Sequence, residues 1–327
     1  MRLGEACTRF LHHCEHTRKL SHHTLRAYRM DLDEFQRYAA DTETVGECDK
    51  HLLRNYIGYL FDARGLKAGS VKRRMACLKA MFHWLEEDEI LAANPFRTLS
   101  TPIKLPSRLP RGLNQTELRD LLNAPAKALG YGKSAHCAIE NLIAAGNSRQ
   151  GFIQFTTLVT LELLFATGIR VSELAAIEIK DIDLSDHSIR IHGKGDRERL
   201  VYLPDARTHD LLQGYLTARG AKAPNTIHFL VNTQGKATNP QYLRLLVRRA
   251  GEAAKIERRI TPHMLRHSTA THLLNEGADI RHVQRLLGHQ SITTTQIYTQ
   301  VSDRMLKSVI CRSHPIRKIA GGASMDN

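Results

Sequence analysis

TPHMLRHSTATHLLNEGADIRHVQRLLGHQSITTTQIYT, residues 261–299, decides how the rest of the chain is read. Thr261 caps a helix, and Pro262 suits its first position, where a missing N–H costs nothing. His263 and Arg266 then fall at i and i+3, on one helix face. Gly277 ends that helix. Asp279 starts the next, which stops at Gly288-His289, and Ser291 caps a third that carries Tyr298. A hairpin of helices this tight brings His263, Arg266, His289 and Tyr298 toward one point. Those residue types suit phosphoryl transfer. A guanidinium forks onto non-bridging phosphate oxygens, histidines donate or shuttle protons, and a tyrosine hydroxyl serves as covalent nucleophile.

Around that stretch, composition narrows the field. The chain has 327 residues, 42% of them hydrophobic, enough for two domains with real cores. No run of about 18 apolar residues predicts a transmembrane helix. The opening MRLGEACTRFLHHCEH is broken by charge and histidine, so it is not a secretory signal. The expectation is a cytoplasmic protein without a membrane partner. Lys and Arg number 47 against 33 Asp and Glu, a formal charge of +14 that suits a polyanion. The excess is spread over both halves, as wrapping a duplex requires. None of the six cysteines forms a CxxC pair, and they read as free thiols. HHCEH at 12–16 places His12 and His16 one turn apart, but no second ligand cluster is near in sequence. It reads as a polar helix face, and no metal is expected.

Residues 1–100 read as four amphipathic helices in a small bundle. They run over 3–17, from Ser21 through Tyr38, over about 48–63 and over about 69–88. Near the start of the fourth, GLKAGSVKRRMACLK gathers Ser70, Lys72, Arg73, Arg74 and Lys79. Charge alone leaves these as a solvated face or as phosphate contacts. Residues 101–111, within STPIKLPSRLPR, hold prolines and basic residues without periodicity and read as an extended linker.

Residues 112–327 mix helices with short strands. Asn114 to Glu117 has a capping-box look and opens a helix to about Asn123. Residues 124–151 follow, with Ala135, Ile139, Leu142 and Ile143 suggesting a short helix. Phe152–Thr167 is an apolar helix that Gly168 breaks just before Arg170. Glu173 lies three residues on, so a buried Arg170 has either that carboxylate or a phosphate as partner. Residues 176–203 alternate as strands through Ile177, Ile179, Ile182 and Leu184 to SIRIHGKGDRERLVYLP. His192 to Asp196 is the hairpin turn and Lys194 its tip. Residues 205–219 and 240–254 read as helices. The second carries Arg244 and Arg248 at i and i+4, candidates for groove or backbone contact. A short helix over about 302–312 precedes a basic tail from His314.

HMLRHSTATHLL, LLGH and the tyrosine nine residues later resemble the tyrosine recombinase, or phage integrase, family. ATGIRVSEL at 166–174 resembles its first arginine box, and HGKGDRERLVYLP at 192–204 its lysine-bearing β-hairpin. SHHTLRAYRMDLDEF at 21–35 resembles the opening of its core-binding domain. Three separated catalytic motifs in the family's order are highly specific, and the likeness is nearest to Xer-type members. It implies a mainly α fold with a small β-sheet. A helical, SAM-like core-binding domain over 1–100 precedes a mixed α+β catalytic domain over 112–327, with residues 124–151 as an insertion.

The resemblance also implies the chemistry. Tyr298 is the nucleophile, and Arg170, Lys194, His263, Arg266 and His289 complete the catalytic set. Glu173 supports Arg170, while Ser70, Lys72, Arg73, Arg74, Lys79, Arg244 and Arg248 face DNA. No cofactor is implied. The partners implied are a double-stranded recombination site and three further copies of the chain, docked through the 302–312 helix by Met305, Leu306 and Val309. Integration or excision of a mobile element and Xer-type dimer resolution both fit. A type IB topoisomerase shares the chemistry, and a non-catalytic DNA-binding protein shares the charge.

Overall fold

The computed structural model describes residues 1–99, 103–104, 112–131, 135–193, 198–288 and 310, with residues 135–139 by backbone alone. The chain divides into two compact units, Met1–Arg108 and Leu109–Asn327. Among the described residues no helix is long and apolar enough to cross a membrane, and no cluster of His, Cys, Asp and Glu could hold a metal ion.

The first unit holds α1 (Leu3–His16), α2 (His22–Tyr38), α3 (Lys50–Asp62) and α4 (Ala68–Glu87). Side-chain caps set two of the starts. Ser21 accepts from the amide of Thr24, and the Asp49 carboxylate accepts from those of His51 and Leu52. The apolar stripes meet in one core that includes Phe10, Leu32, Phe35, Tyr56, Leu60 and Phe82, all fully buried. Cys7, Cys14, Cys48 and Cys77 are unbridged and buried in it, and burial pushes the Cys7 and Cys48 thiols up to about 12. Cys137 and Cys311 lie outside the described side chains.

One face of α2 carries Asp31 and Glu34, three residues apart and both buried. They draw in arginines from two other helices. Arg73 grips Asp31 with both terminal nitrogens, the Nη2 bond being 2.7 Å. Arg74 Nε and Nη2 donate to Glu34 at 2.8 and 2.6 Å, and Arg64, just past α3, donates to the other oxygen at 2.8 Å. Two of the five residues in this basic run are thus engaged within the unit. Arg74 is only 14% exposed and serves as an internal ion-pair partner, while Arg73 is half exposed with its fork already occupied. Lys72 and Lys79 stay exposed, without an acidic partner among the described residues, and Ser70 sits half-buried in the first turn of α4.

In the second unit, α5 (Gln115–Lys127), α6 (Ala135–Ala145), α9 (Ala206–Lys222), α10 (Pro240–Ala253) and α11 (Pro262–Asn275) all pack around or near α7 (Arg149–Thr167). Every residue of α7 from Phe155 to Thr167 is buried, as in a helix enclosed by others. Its threonines satisfy their hydroxyls on carbonyls four residues back, as Thr156 does on Phe152 at 2.8 Å. The remaining elements are α8 (Val171–Ala176), α12 (Ile280–Leu287) and an antiparallel sheet in the order β1 (Ile182–Asp183), β2 (Ser188–His192), β3 (Glu198–Tyr202).

Three sequence expectations change here. The first strand shrinks to two residues. Asp181 reaches back to the amide of Glu178 at 2.9 Å, which turns Ile179–Asp181 into a 3₁₀ turn instead of extended backbone, and Leu184 falls in a turn. α5 runs on to Lys127, its capping box between Asn114 and Glu117 complete, with Pro125 inside it. Residues 124–151, read from the sequence as an insertion, contribute to the core in their described part. Leu142 of α6 is fully buried, and a Cβ on Gly214 of α9 would lie 2.5 Å from Ile143. A Cβ on Gly151 would lie 1.9 Å from the Ala145 carbonyl oxygen, so the chain turns from α6 into α7 only with glycine there.

The beginning of this unit is pinned to α11. The amide of Leu113 donates to Ser268 Oγ at 2.7 Å, and His272 Nε2 donates to the Leu113 carbonyl at 3.0 Å. Arg258 donates to the Gly112 carbonyl at 2.8 Å and to Glu117 at 2.7 Å.

Candidate active site

Gly168 ends α7 in the left-handed conformation, φ +63°, with its amide on the Leu164 carbonyl. A Cβ there would lie 2.6 Å from Leu287 on α12, so glycine is needed twice over. The turn delivers Arg170 to the start of α8. Thr261, accepting from the amide of Met264, and Pro262 start α11, which presents Arg266. α12 starts at Asp279 and stops at Gly288, φ +63°.

Three arginines from three elements converge on the C-terminal end of α12. Arg199 Nε of β3 donates to the Leu286 carbonyl at 3.3 Å, Arg266 Nη2 of α11 to that of Leu287 at 2.6 Å, and Arg170 Nη2 to that of Gly288 at 3.2 Å. A helix end leaves these carbonyls without intrahelical donors and at the negative pole of the dipole, so cations are held there favourably. Arg266 Nη1 also donates to the Gly168 carbonyl at 2.6 Å, which ties α11 to the α7 terminus.

Glu173 lies beneath the arginines, buried and with both oxygens engaged. Oε1 accepts from Arg170 Nη1 at 2.8 Å and Arg199 Nη1 at 3.1 Å. Oε2 accepts from the Arg170 amide at 2.7 Å and Arg199 Nη2 at 2.8 Å. Burial pushes this carboxyl up, but the bonds from Arg199 and from Arg170 outweigh it and hold it below the usual range. Burial, and then the positive charge of Arg170, lower the Arg266 guanidinium to about 10, so it remains charged at neutral pH. Three guanidiniums against one carboxylate leave a net charge of two. Arg170 is the most open, its side chain 46% exposed, against 16% for Arg199 and 5% for Arg266. The cluster forms a cationic cradle, with Arg170 exposed and Arg199 and Arg266 largely covered.

The structure thus brings Arg170, Glu173 and Arg266 together. The expectation that Arg170 is buried is corrected, and its ion pair with Glu173 is real without closing it off, because Arg199 shares the carboxylate. His263 is exposed in the first turn of α11, three residues before Arg266. Lys194, His289 and Tyr298 lie outside the described residues, as do the third helix begun at Ser291 and the anchors Met305, Leu306 and Val309. Of the 302–312 helix only Ile310 is described. It is helical and buried in its own unit's core.

At the root of the β2–β3 hairpin, His192 stands between two carboxylates, Nε2 3.1 Å from Asp181 and Nδ1 3.1 Å from Glu198. The bond to Asp181 raises its pKa above the ordinary histidine value. On α10, Arg244 is exposed and Arg248 lies 3.3 Å from Glu252. Sequence reading missed Arg199. The signal was there, because period two puts Arg199 on the inner face with Val201, opposite Ile191 and Ile189.

Residues 135–305 match the family model described as Phage integrase family, and residues 7–89 the one described as Phage integrase, N-terminal SAM-like domain. The chain belongs to the phage integrase family. As a tyrosine recombinase it is an enzyme that cleaves and rejoins DNA through a phosphotyrosyl intermediate, and its family favours site-specific recombination over topoisomerase-like activity. A protein named Tyrosine recombinase XerD from Staphylococcus aureus is 34% identical over 300 residues, which cover 90% of this chain and 94% of that one. A Tyrosine recombinase from Agathobacter rectalis is 30% identical over 310 residues, 94% of this chain and 95% of the relative. Among solved structures, XerH site-specific recombinase bound to palindromic difH substrate superposes with a TM-score of 0.65 at 24% identity. The superposition covers 85% of this chain and 76% of that one, and it supports the family fold.

Proposed function

We propose that the cradle of Arg170 and Arg266 receives the scissile phosphate of a double-stranded recombination site. Tyr298 attacks that phosphorus. Its hydroxyl proton goes to His263, and the bond to the 5′ oxygen breaks as Lys194 protonates it. The products are a 3′-phosphotyrosyl adduct and a free 5′-hydroxyl. A 5′-hydroxyl from a partner strand then attacks the adduct, giving its proton to Lys194 as the bond from phosphorus to Tyr298 breaks and the tyrosine takes its proton back from His263, so the phosphoester is conserved and no nucleotide is consumed. Arg170, Arg266 and His289 stabilise the pentacoordinate charge. The carrying observation is that Arg266 is oriented by two carbonyls and Arg170 by one carbonyl and a carboxylate that Arg199 shares, so the cluster is aimed and still keeps a net positive charge. With that charge supplied by guanidiniums, the step needs no metal ion.

Residues 1–100 form the core-binding domain in this reading, 101–111 the linker and 112–327 the catalytic domain. The first contributes phosphate contacts through Lys72, Lys79 and Ser70, the last through Arg244. The 302–312 helix links four copies on synapsed DNA. What supports these assignments is the net charge, the exposure of Lys72, Lys79 and Arg244, and the family. Recombination of DNA by integration, excision or dimer resolution belongs in the cytoplasm.

Tyr298→Phe tests the reading. On a duplex selected from a randomised pool by covalent capture, it is expected to bind with wild-type affinity and to form no adduct. Strand exchange by Tyr298→Phe would end the assignment of the nucleophile.

A further inference from the structure

Arg199 has spent its fork. Both terminal nitrogens face Glu173 and Nε faces the Leu286 carbonyl, and the side chain is 16% exposed. All three of its nitrogens are engaged and it is largely covered, whereas Arg170 engages only Nη1 and Nη2 and is half exposed, so Arg199 is the worse placed of the two to take a phosphate. Its partners, however, are the two groups that aim Arg170. Glu173 fixes the Arg170 amide and Nη1, and the end of α12 fixes Nη2 through Gly288. Arg199 touches both supports. It packs where a Cβ on Gly288 would lie 3.4 Å from its guanidinium.

We propose that Arg199 is a positioning residue for DNA cleavage, holding Glu173 and the C-terminus of α12 in the relation that turns the Arg170 fork outward to the phosphate. This rests on the recombinase reading above. Arg199 therefore acts through Arg170 and not beside it. Two separable consequences follow. Removing Arg199 costs little once Arg170 is gone, because residues that act as one unit are not additive. Removing it also frees burial to raise the Glu173 carboxyl, since Arg199 is the foremost of the groups opposing burial.

Single-turnover cleavage by the full chain, on a nicked duplex selected by covalent capture on the wild-type protein, reads both. Arg199→Lys keeps the charge but loses the planar fork. It is expected to slow cleavage by about 10²-fold, the scale of a misplacement of about 1 Å, with duplex affinity unchanged. The acid limb of its pH profile should move up, because burial is then less opposed at Glu173. In an Arg170→Ala background the same change should cost less than about threefold. Glu173→Asp leaves Arg199 intact and shortens the carboxylate, so it guards against a variant that fails to fold. It should slow cleavage comparably, and adding Arg199→Lys should change little more. An undiminished loss in the Arg170→Ala background, or an acid limb that stays put, would overturn the positioning role while leaving the recombinase reading intact. A wild-type protein that captures no duplex would overturn both.

Discussion

In the first unit Arg64, Arg73 and Arg74 meet two buried carboxylates, Asp31 and Glu34, whereas in the second Arg170, Arg199 and Arg266 meet one carboxylate and four backbone carbonyls. The side chains are alike and the outcomes differ. Carboxylates cancel charge as they orient it, so the first cluster keeps a net charge of one. Carbonyls at a helix end orient with partial charge only, so the second keeps two. The acids report the same contrast. Burial raises the Asp31 carboxyl despite Arg73, while its arginines hold Glu173 down. A helix C-terminus is thus a means of aiming guanidiniums at a third party, and a buried acid pair is a means of using them up.

Breaking each cluster should separate chemistry from stability. Arg266→Ala is expected to slow cleavage of bound duplex by about 10²–10³-fold or more, the scale of losing one charge-stabilising donor. Arg74→Ala should leave that rate unchanged, and a comparable slowing by it would erase the distinction. Arg74→Met should instead destabilise the first unit by about 3 kcal/mol, toward the low end for breaking a buried pair because Arg64 and Arg73 still face the acids. Urea unfolding of the full chain measures this, and an unshifted first-unit transition would count against it. Salt dependence sharpens the comparison further. Lys72→Ala should reduce the slope of log K against log salt by about 0.9, one phosphate contact, and Arg74→Ala should leave it as it is.

The smallest effect concerns His192. Its folded pKa is raised, so the clamp on Asp181 and Glu198 is fully present below about pH 6.5 and is lost as pH rises past the folded value. Amide exchange in β2 and β3, corrected for intrinsic rates, should lose protection above that pH. His192→Gln should show no such dependence.

What was legible in the sequence was local. Ser21, Asn114 with Glu117, Thr261-Pro262, Gly168 and Gly288 act within a turn of the helix they start or stop, and all do so in the structure. Arg170 and Arg266 were legible as a pair only through motif. The partners of Arg199 are 26 and 87 residues away in sequence, so its place depended on packing that periodicity does not encode. Arg74 failed for a related reason. It is two residues from Lys72 on α4, and only the approach of α2 decides which turns inward. Asp31 and Glu34, set beside Leu32 and Phe35, were the overlooked hint, since acids bordering an apolar stripe require internal cations. The lost strand at Ile179 shows the converse, a local acceptor on Asp181 overriding an alternating pattern.

The pinning of Gly112 and Leu113 to α11 bears on how this enzyme is re-targeted. Exchange of the first unit for one of different sequence preference is a splice, and its seam has an address. Ser268, His272 and Arg258 read the backbone of residues 112 and 113, not their side chains. These three contacts therefore place no side-chain requirement on the residues they hold. A seam placed inside α5 would delete the strap, leaving Ser268 and His272 to find water on the same helix that carries His263 and Arg266. Chimeras joined upstream of Gly112 should keep wild-type turnover on their new sites, and those joined at Gln115 should bind and cut poorly.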